Sequence, residues 1–365
     1  MNLSMKVGLL SYYLSSKHSG QSRFLVNLAK GLKSIDVKPV IYSLYIDNEQ
    51  LELLKRQNIQ AFRAGGVPTS SYNFQIMRYG NTLASKLADL VTEHDECDSY
   101  VVLADEALPA VEGLGTVTKA YLTNGDLSLM LLNHDFQKSH KLMAKILGLS
   151  FVRDVARHAR MAAKFDLIMA NSYFTAGIMS FIYGLPINRV VYPPVDGSLF
   201  NRQTKERKIN SEYAIALIRN PSDPLYRIVT ELAREIRIKI VGGGVVNGAE
   251  NLGFVTDNEL VGLYSAATLN LSPNPLEFYG YSIVESMSCG TPTVAFDNGG
   301  AKELIKQGIN GWLVSDDNEL RDKVKDVMAH GYSENIRNNC LTESQKFSIK
   351  SSAKSLVSHL KLVSR

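Results

Sequence analysis

Short runs of β-branched and apolar residues alternate along the chain with segments whose apolar residues recur every three or four positions. In the first half, the runs near Val7–Tyr12, Val40–Tyr45, Tyr100–Leu103, Ala120–Leu122, Leu167–Ala170 and Val190–Tyr192 read as buried strands. Between the first two, Ser22–Leu32 places Phe24, Leu25, Leu28 and Leu32 on one face and reads as an amphipathic helix. Strand and helix in alternation predict an α/β fold, with parallel sheets covered by helices. Pro193-Pro194 can continue neither a central strand nor a helix interior. After it the alternation starts again, with strands near Ala214–Leu217, Ile236–Val241, Leu269–Leu271, Thr293–Phe296 and Trp312–Val314. Thr256 and Glu259 have the spacing of a capping box at the head of a helix. The predicted division is a first domain over 1–192, a second over 193–347, and a final helix over 348–365. The stripe Ile349, Ala353, Leu356, Val357, Leu360 and Val363 on that helix must be buried somewhere.

A length of 365 residues fits two domains with full cores, and 21% charged with 45% apolar residues is the profile of an ordinary globular protein. The formal net charge is +4, from 40 basic and 36 acidic residues, too small a surplus to argue for nucleic acid as a partner. Cys97, Cys289 and Cys340 are widely spaced and the seven histidines show no ligand spacing, so neither a disulfide framework nor a metal site is expected. The apolar start, Val7 to Leu10, is too short for a signal-peptide core. The apolar stretch Leu167 to Ile187 is broken by Asn171, Gly177, Gly184 and Pro186, which argues against a bilayer span. The expectation is a cytoplasmic protein, either free in solution or peripheral on a membrane.

The most informative stretch runs from Glu277-Phe278-Tyr279-Gly280-Tyr281-Ser282 through Glu285 to Gly290-Thr291-Pro292. It reads as a loop ending in glycine, then a short helix with Ile283, Val284 and Met287 on its buried face, then a stop before a buried strand. A helix that opens directly behind a glycine offers backbone N–H groups at Tyr281 and Ser282, with the positive end of the dipole, to an anion such as a diphosphate. Glu277 before the loop and Glu285 one turn into the helix add two acceptors for hydroxyl groups.

This stretch resembles the Glu-x7-Glu motif of retaining glycosyltransferases of family 4, which have the GT-B fold. The resemblance continues downstream in Asp297-Asn298-Gly299-Gly300-Ala301-Lys302-Glu303-Leu304-Ile305 and Asn310-Gly311-Trp312-Leu313-Val314, and upstream in Asp166–Ser172 and Val190–Asp196. It implies two Rossmann-like domains facing a central cleft, the first binding an acceptor and the second a nucleotide sugar, with the last helix crossing back onto the first domain. It also implies that Glu277 contacts the donor sugar, that Glu285 contacts the ribose, and that Phe278, Tyr279, Gly280, Tyr281 and Ser282 line the donor site. Gly20, in Ser19-Gly20-Gln21, stands where the family carries a glycine-bearing loop, and Gln21 follows it. Arg219 matches the arginine that neutralises the donor diphosphate. The family's lysine a few residues on is missing here, which leaves Arg227 as the second charge or the diphosphate less stabilised. Asn124 and Asp126 stand where many relatives place a histidine near the transfer centre, and either orient the acceptor or make a plain turn. The implied activity is transfer of a hexose, with retention, from a UDP- or GDP-linked sugar to a hydroxyl of a glycan or lipid-linked acceptor, without metal or other cofactor. A sugar-nucleotide-binding protein without transfer, and a GT-B epimerase or phosphorylase, stand as alternatives.

Lys138–Lys164 carries seven basic residues against one acid, Asp154. The spacing puts the charges on one helix face with apolar residues between them, which fits either an anionic membrane surface or a helix packed on the sheet with a solvated basic side.

Overall fold

The computed structural model describes residues 5–15, 20–65, 72–94, 96–125, 155–200, 213–218, 225–272, 274 and 277–363. The chain divides into two compact units, Met1–Leu129 with Lys145–Pro194 and Ile349–Arg365, and Met130–Ala144 with Val195–Ser348.

The first unit is built on a parallel sheet of β1 (Lys6–Leu14), β2 (Lys38–Ile46), β3 (Gln60–Arg63), β4 (Ser99–Val102), β5 (Thr118–Thr123) and β6 (Leu167–Ala170), in the order β3-β2-β1-β4-β5-β6. β1 is covered on both faces, which is why Val7, Leu9 and Leu10 form a continuous apolar run without alternation. The connections include α1 (Gly20–Lys33), α2 (Asn48–Arg56), α3 (Tyr72–Glu93), a helix α4 over 155–162, and α5 (Tyr173–Tyr183). The run Val190–Tyr192 does not form the expected strand; a single parallel bridge joins Ala170 to Val190, and the prolines that follow allow no ladder. β3 escapes the sequence reading because Gln60–Arg63 is an edge strand without an apolar run.

The second unit repeats the plan with β7 (Ala214–Leu217), β8 (Ile238–Val241), β9 (Glu250–Asn251), β10 (Leu269–Leu271), β11 (Thr293–Phe296) and β12 (Gly311–Val314), parallel in the order β12-β11-β10-β7-β8-β9. Its helices are α6 (Leu225–Leu232), α7 (Asp257–Ala266), α8 (Tyr281–Ser288), α9 (Ala301–Leu304), α10 (Asp317–His330) and α11 (Glu334–Ser344). The capping box at Thr256 and Glu259 is formed in both directions. Asp316 is not in an open loop: its carboxylate accepts from the N–H groups of Asn318 and Glu319 and caps α10.

At Pro194–Val195 and at Ser348–Ile349 the chain passes from one unit to the other. Just beyond Pro194, the Val195 N–H donates to the Phe347 carbonyl at 2.8 Å, and Val195 bridges Ser348 in parallel. The last helix, α12 (Ile349–Val363), belongs to the first unit and buries Ala353, Leu356 and Leu360. It packs on α1 at Gly31, where an added Cβ would lie 2.1 Å from the Ile349 carbonyl oxygen and 3.0 Å from the Ala353 methyl.

That contact yields a signed prediction. In an exposed helix Gly→Ala stabilises by about 1 kcal/mol, whereas here Gly31→Ala must push α12 outward and should cost about 1–3 kcal/mol. Thermal unfolding decides; a Tm equal to or above that of the wild-type chain would show that α1 and α12 are not in close contact.

Candidate functional site

The helix α8 starts behind Gly280, whose φ of 102° lies in the region that side chains rarely adopt. Gly280 brings no side-chain oxygen, and among the described residues no side-chain cap bond is made at the start of α8. The loop before it is held by a pair of glycines. The Gly300 N–H donates to the Glu277 carbonyl at 2.7 Å. A Cβ on Gly299, at φ 56°, would lie 2.4 Å from that same carbonyl oxygen, and one on Gly300 would lie 2.7 Å from the Phe278 carbonyl oxygen. The Asn298-Gly299-Gly300 turn is thus the bed on which the backbone of Glu277 and Phe278 rests.

The side chains of this stretch divide into two kinds. Glu277, Phe278, Tyr281 and Ser282 are half-buried, with part of their surface left to solvent. Tyr279 is buried, its ring edge-on to Tyr281 at 5.4 Å and to Phe347 at 6.3 Å, so it fastens the loop from beneath. Glu285 is only 2% exposed, a carboxylate held in the wall of the site behind the first turn of α8.

A polar network that the sequence reading missed bolts α8 to the sheet. Asn270 sits in the middle of β10, fully buried, and its Nδ2 donates to the Ser282 carbonyl at 3.2 Å and to Thr293 Oγ1 on β11 at 3.0 Å. Ser286 Oγ lies 3.0 Å from the same Thr293 oxygen and donates to the Ile283 carbonyl, while Ser282 Oγ donates to Ser272 Oγ at 3.4 Å. The first turn of α8 is therefore fixed in position by hydrogen bonds rather than by apolar packing alone. The signal was an asparagine between Leu269 and Leu271 in a strand buried on both faces, where a polar side chain must find partners.

At the neighbouring strand end, Gly242 (φ 114°) and Gly244 press against Ile218, at 2.4 Å from its carbonyl oxygen and from its Cγ2 for an added Cβ. The glycine run is a close-packing device between the ends of β7 and β8. Arg219 follows Ile218 directly but lies outside the described residues, as do Asp126 and residues 138–154 of the basic stretch. Arg227 on α6 pairs with Asp317 and, at 3.5 Å, with Glu231, so its charge is already matched by two carboxylates.

In the first unit, two of the candidate residues come together. Gly20 opens α1, and Gln21 Nε2 and Asn124 Nδ2 both donate to the Leu103 carbonyl at the end of β4, at 3.0 and 3.1 Å. Asn171, 6% exposed, donates to the Asn124 carbonyl at 3.5 Å, and the side-chain oxygens of both asparagines are buried with no hydrogen-bond partner among the described residues. Beside them the buried Tyr121 hydroxyl donates to the Asp105 carboxylate. Burial and then the Asp105 charge push this phenol far above its usual range, so it stays protonated. The tyrosine at position 12 is likewise pushed up, chiefly by burial and then by the Glu106 carboxylate, against the opposing effect of Arg157. Leu103, Asp105, Asn124 and Asn171 follow the carboxyl ends of β4, β5 and β6, the end of the sheet where open α/β folds bind ligands. Among the described residues no group of three or more His, Cys, Asp or Glu side chains is placed to hold a metal ion.

Residues 213–330 match the family model of glycosyl transferases group 1, about a third of the chain and the part that contains Glu277 through Glu285. A D-inositol 3-phosphate glycosyltransferase of Thermobifida fusca is 43% identical over 56 residues, 15% of this chain and 13% of that protein. One of Catenulispora acidiphila is 25% identical over 199 residues, 44% of this chain and 48% of its own length. The chain thus spans at most about half the length of these curated relatives. Among solved structures, a sucrose-phosphate synthase of Thermosynechococcus elongatus is similar with a TM-score of 0.75 at 13% identity, over 98% of this chain and 99% of that one. HepE of Anabaena in complex with UDP and glucose is similar with a TM-score of 0.72 at 19% identity, over 98% and 99%. The fold is GT-B, and the family match with these relatives supports the resemblance to family 4 glycosyltransferases.

The anchoring of α8 by Asn270 is open to direct test. Asn270→Ala removes two buried hydrogen bonds and should cost about 1–3 kcal/mol in urea unfolding. It should also speed amide hydrogen exchange in the first turn of α8. A stability loss with unchanged exchange at Tyr281–Glu285 would mean that Asn270 merely fills the core.

Proposed function

We propose that the chain is a retaining glycosyltransferase that moves a hexose from a nucleoside-diphosphate sugar, UDP- or GDP-linked, to a hydroxyl of a glycan or lipid-linked acceptor. The observation that carries this reading is the uncapped N-terminus of α8, fixed by Asn270 and set between Glu277 and the buried Glu285. A diphosphate fits the positive end of the helix, where N–H groups and the dipole favour negative charge. In this reading Glu285 takes the ribose hydroxyls and Glu277 the donor sugar. HepE of Anabaena, similar in fold, was solved with UDP and with UDP-glucose.

In this reaction the bond between the anomeric carbon and the diphosphate oxygen breaks, and its electron pair leaves with the diphosphate. The acceptor oxygen bonds to the same face of the sugar, and the departing diphosphate takes the acceptor's proton. Glu277 holds the sugar and stabilises the positive charge that develops at the anomeric carbon, with no covalent bond to the enzyme. Arg219 and the head of α8 carry the charge of the leaving group. The acceptor is oriented by Gln21, Asn124 and Asp126 in the first unit.

A second reading has one observation in its favour. With Arg227 held by Asp317 and Glu231, only Arg219 remains from the expected pair of cations. That favours a sugar-nucleotide-binding protein of weak or no transfer activity. Turnover assays with UDP- and GDP-sugars across an acceptor panel separate the two, since binding without transfer leaves only the second reading.

Two outcomes are expected of the donor site. Glu285→Ala and the milder Glu285→Gln should weaken binding of whichever of UDP and GDP the wild-type chain takes up, the alanine by about 1.5–3 kcal/mol for loss of a charge-assisted bond. Calorimetric titration reads this, and equal affinity in a folded variant removes Glu285 from the site. Activity should also survive EDTA, because helix and arginine stand in for a divalent ion. Loss on chelation with recovery in magnesium or manganese would reveal a metal requirement.

A further inference from the structure

β1 and β2 bury their residues in the same pattern. Each has nine residues, buried from the second to the seventh and again at the ninth, and in each the eighth is left half-buried. Those eighth residues are Tyr13 and Tyr45, partners in the parallel register, with rings stacked at 5.4 Å and an interplanar angle of 12°. The other tyrosines at the centre of these strands, Tyr12 and Tyr42, are 1% and 0% exposed. A tyrosine that serves only the core is sunk like those two, whereas a stacked pair kept at the surface, at one level of both strands, offers its rings to a ligand. The repeat includes the serines. Ser11 and Ser43 are register partners, and each hydroxyl donates to the carbonyl of the tyrosine two residues on, at 3.3 and 2.9 Å. Just beyond the pair, the Asp47 N–H donates to the Leu14 carbonyl at 3.1 Å, and Arg63 on β3 donates from Nη1 to the Ile46 carbonyl and to Asn48 Oδ1, each at 2.9 Å. The ends of β1 and β2 are thereby locked together, and the rings stand on a backbone that has little freedom left to lose when a ligand arrives.

Position and chemistry together select the ligand. The pair stands near the carboxyl end of the sheet, where open α/β folds bind ligands. The Leu103 N–H donates to the Leu10 carbonyl, so the Leu103 carbonyl that receives Gln21 and Asn124 lies on the strand next to Tyr13. Neighbouring strands lie about 5 Å apart, close to the step from one sugar ring to the next along a glycan. A pyranose has faces of C–H groups, which match the negative face of an aromatic ring, and a rim of hydroxyls, which match phenol oxygens and the exposed Asn48 and Arg63. An acyl chain matches less well. Arg63 and Asn48 stand on one side of the pair and Gln21 reaches the strand on the other, so the two rings are not part of an extended apolar surface.

We infer that the Tyr13–Tyr45 pair is a subsite for a sugar ring of a glycan acceptor, holding the unit next to the one whose hydroxyl receives the transfer. As an acceptor subsite it rests on the reading of the chain as a glycosyltransferase, and it deepens that reading: the acceptor carries at least two sugar rings, and the first unit recognises the second ring as well as the reacting hydroxyl. The rings hold the acceptor and take no part in bond making, so their loss appears in KM and in the preference for longer acceptors, not in donor binding.

Saturation-transfer NMR of the full chain with soluble sugars tests the subsite, with glucose, galactose, mannose and N-acetylglucosamine beside maltose, cellobiose, lactose, mannobiose and chitobiose. At least one disaccharide should bind, and more tightly than the monosaccharides it contains. Tyr13→Leu with Tyr45→Leu, which keeps apolar packing but has no ring face, should weaken that disaccharide roughly three- to tenfold and bring it down to the level of its monosaccharides. Tyr45→Phe, which keeps the ring, should stay within about twofold of the wild-type chain. The shift of Tm by UDP or GDP should be the same in all these variants. Transfer to a disaccharide with a KM that the leucine variant leaves unchanged overturns the inference and keeps the glycosyltransferase. Ring-dependent disaccharide binding without transfer from any UDP- or GDP-sugar keeps the sugar subsite and removes the glycosyltransferase. No disaccharide bound by the wild-type chain, or equal affinity in the leucine variant, overturns the inference. So does a preference for octyl glucoside over methyl glucoside that the leucine variant loses, because the rings would then hold an acyl chain.

Discussion

At several places the chain must bring backbone against backbone, or helix against helix, more closely than a Cβ atom allows, and much of the architecture follows from meeting that requirement with glycine. Gly31 lets α12 lie on α1, Gly242 and Gly244 draw the ends of β7 and β8 together, and Gly299 with Gly300 receives the backbone of Glu277 and Phe278. The last of these is the most consequential. It fixes the loop in front of α8 by main-chain contact, without help from any side chain that a ligand would have to displace. The backbone of Glu277 is thereby held in place while the residue as a whole stays half-buried.

What the sequence made legible followed from burial. β1, β2, β4 and β6 and their counterparts in the second unit are buried on both faces, so their apolar runs stand out, and the restart after Pro193-Pro194 falls close to the passage at Pro194–Val195. The capping box at Thr256 was readable because it is a purely local device. β3 and β9 were not, since Gln60–Arg63 and Glu250–Asn251 have no apolar run, whereas the other edge strands, β6 and β12, do. The Glu277–Glu285 stretch could be read as loop, glycine and helix, and the structure has that order. The support beneath it could not be read, because Asn270, Thr293 and Ser286 come from three elements that only the fold brings into register.

The two units use different means to hold polar groups at strand ends. Under α8 the network runs from side chain to helix backbone and leaves little freedom, as suits a site for a highly charged group of fixed shape. In the first unit, Gln21 and Asn124 share the Leu103 carbonyl, and the amide oxygens of Asn124 and Asn171 find no partner among the described residues. A buried acceptor left unpaired costs about 1–3 kcal/mol.

The pairing of Val195 with Ser348 has a consequence for how the molecule is made. The segment Val195–Ser348 of the second unit lies between two segments of the first, with its own ends tied side by side, and α12 follows it in the chain. The α1 surface around Gly31 therefore stays uncovered until that whole segment has been synthesised. The growing chain thus completes its first unit with a helix made only after most of the second.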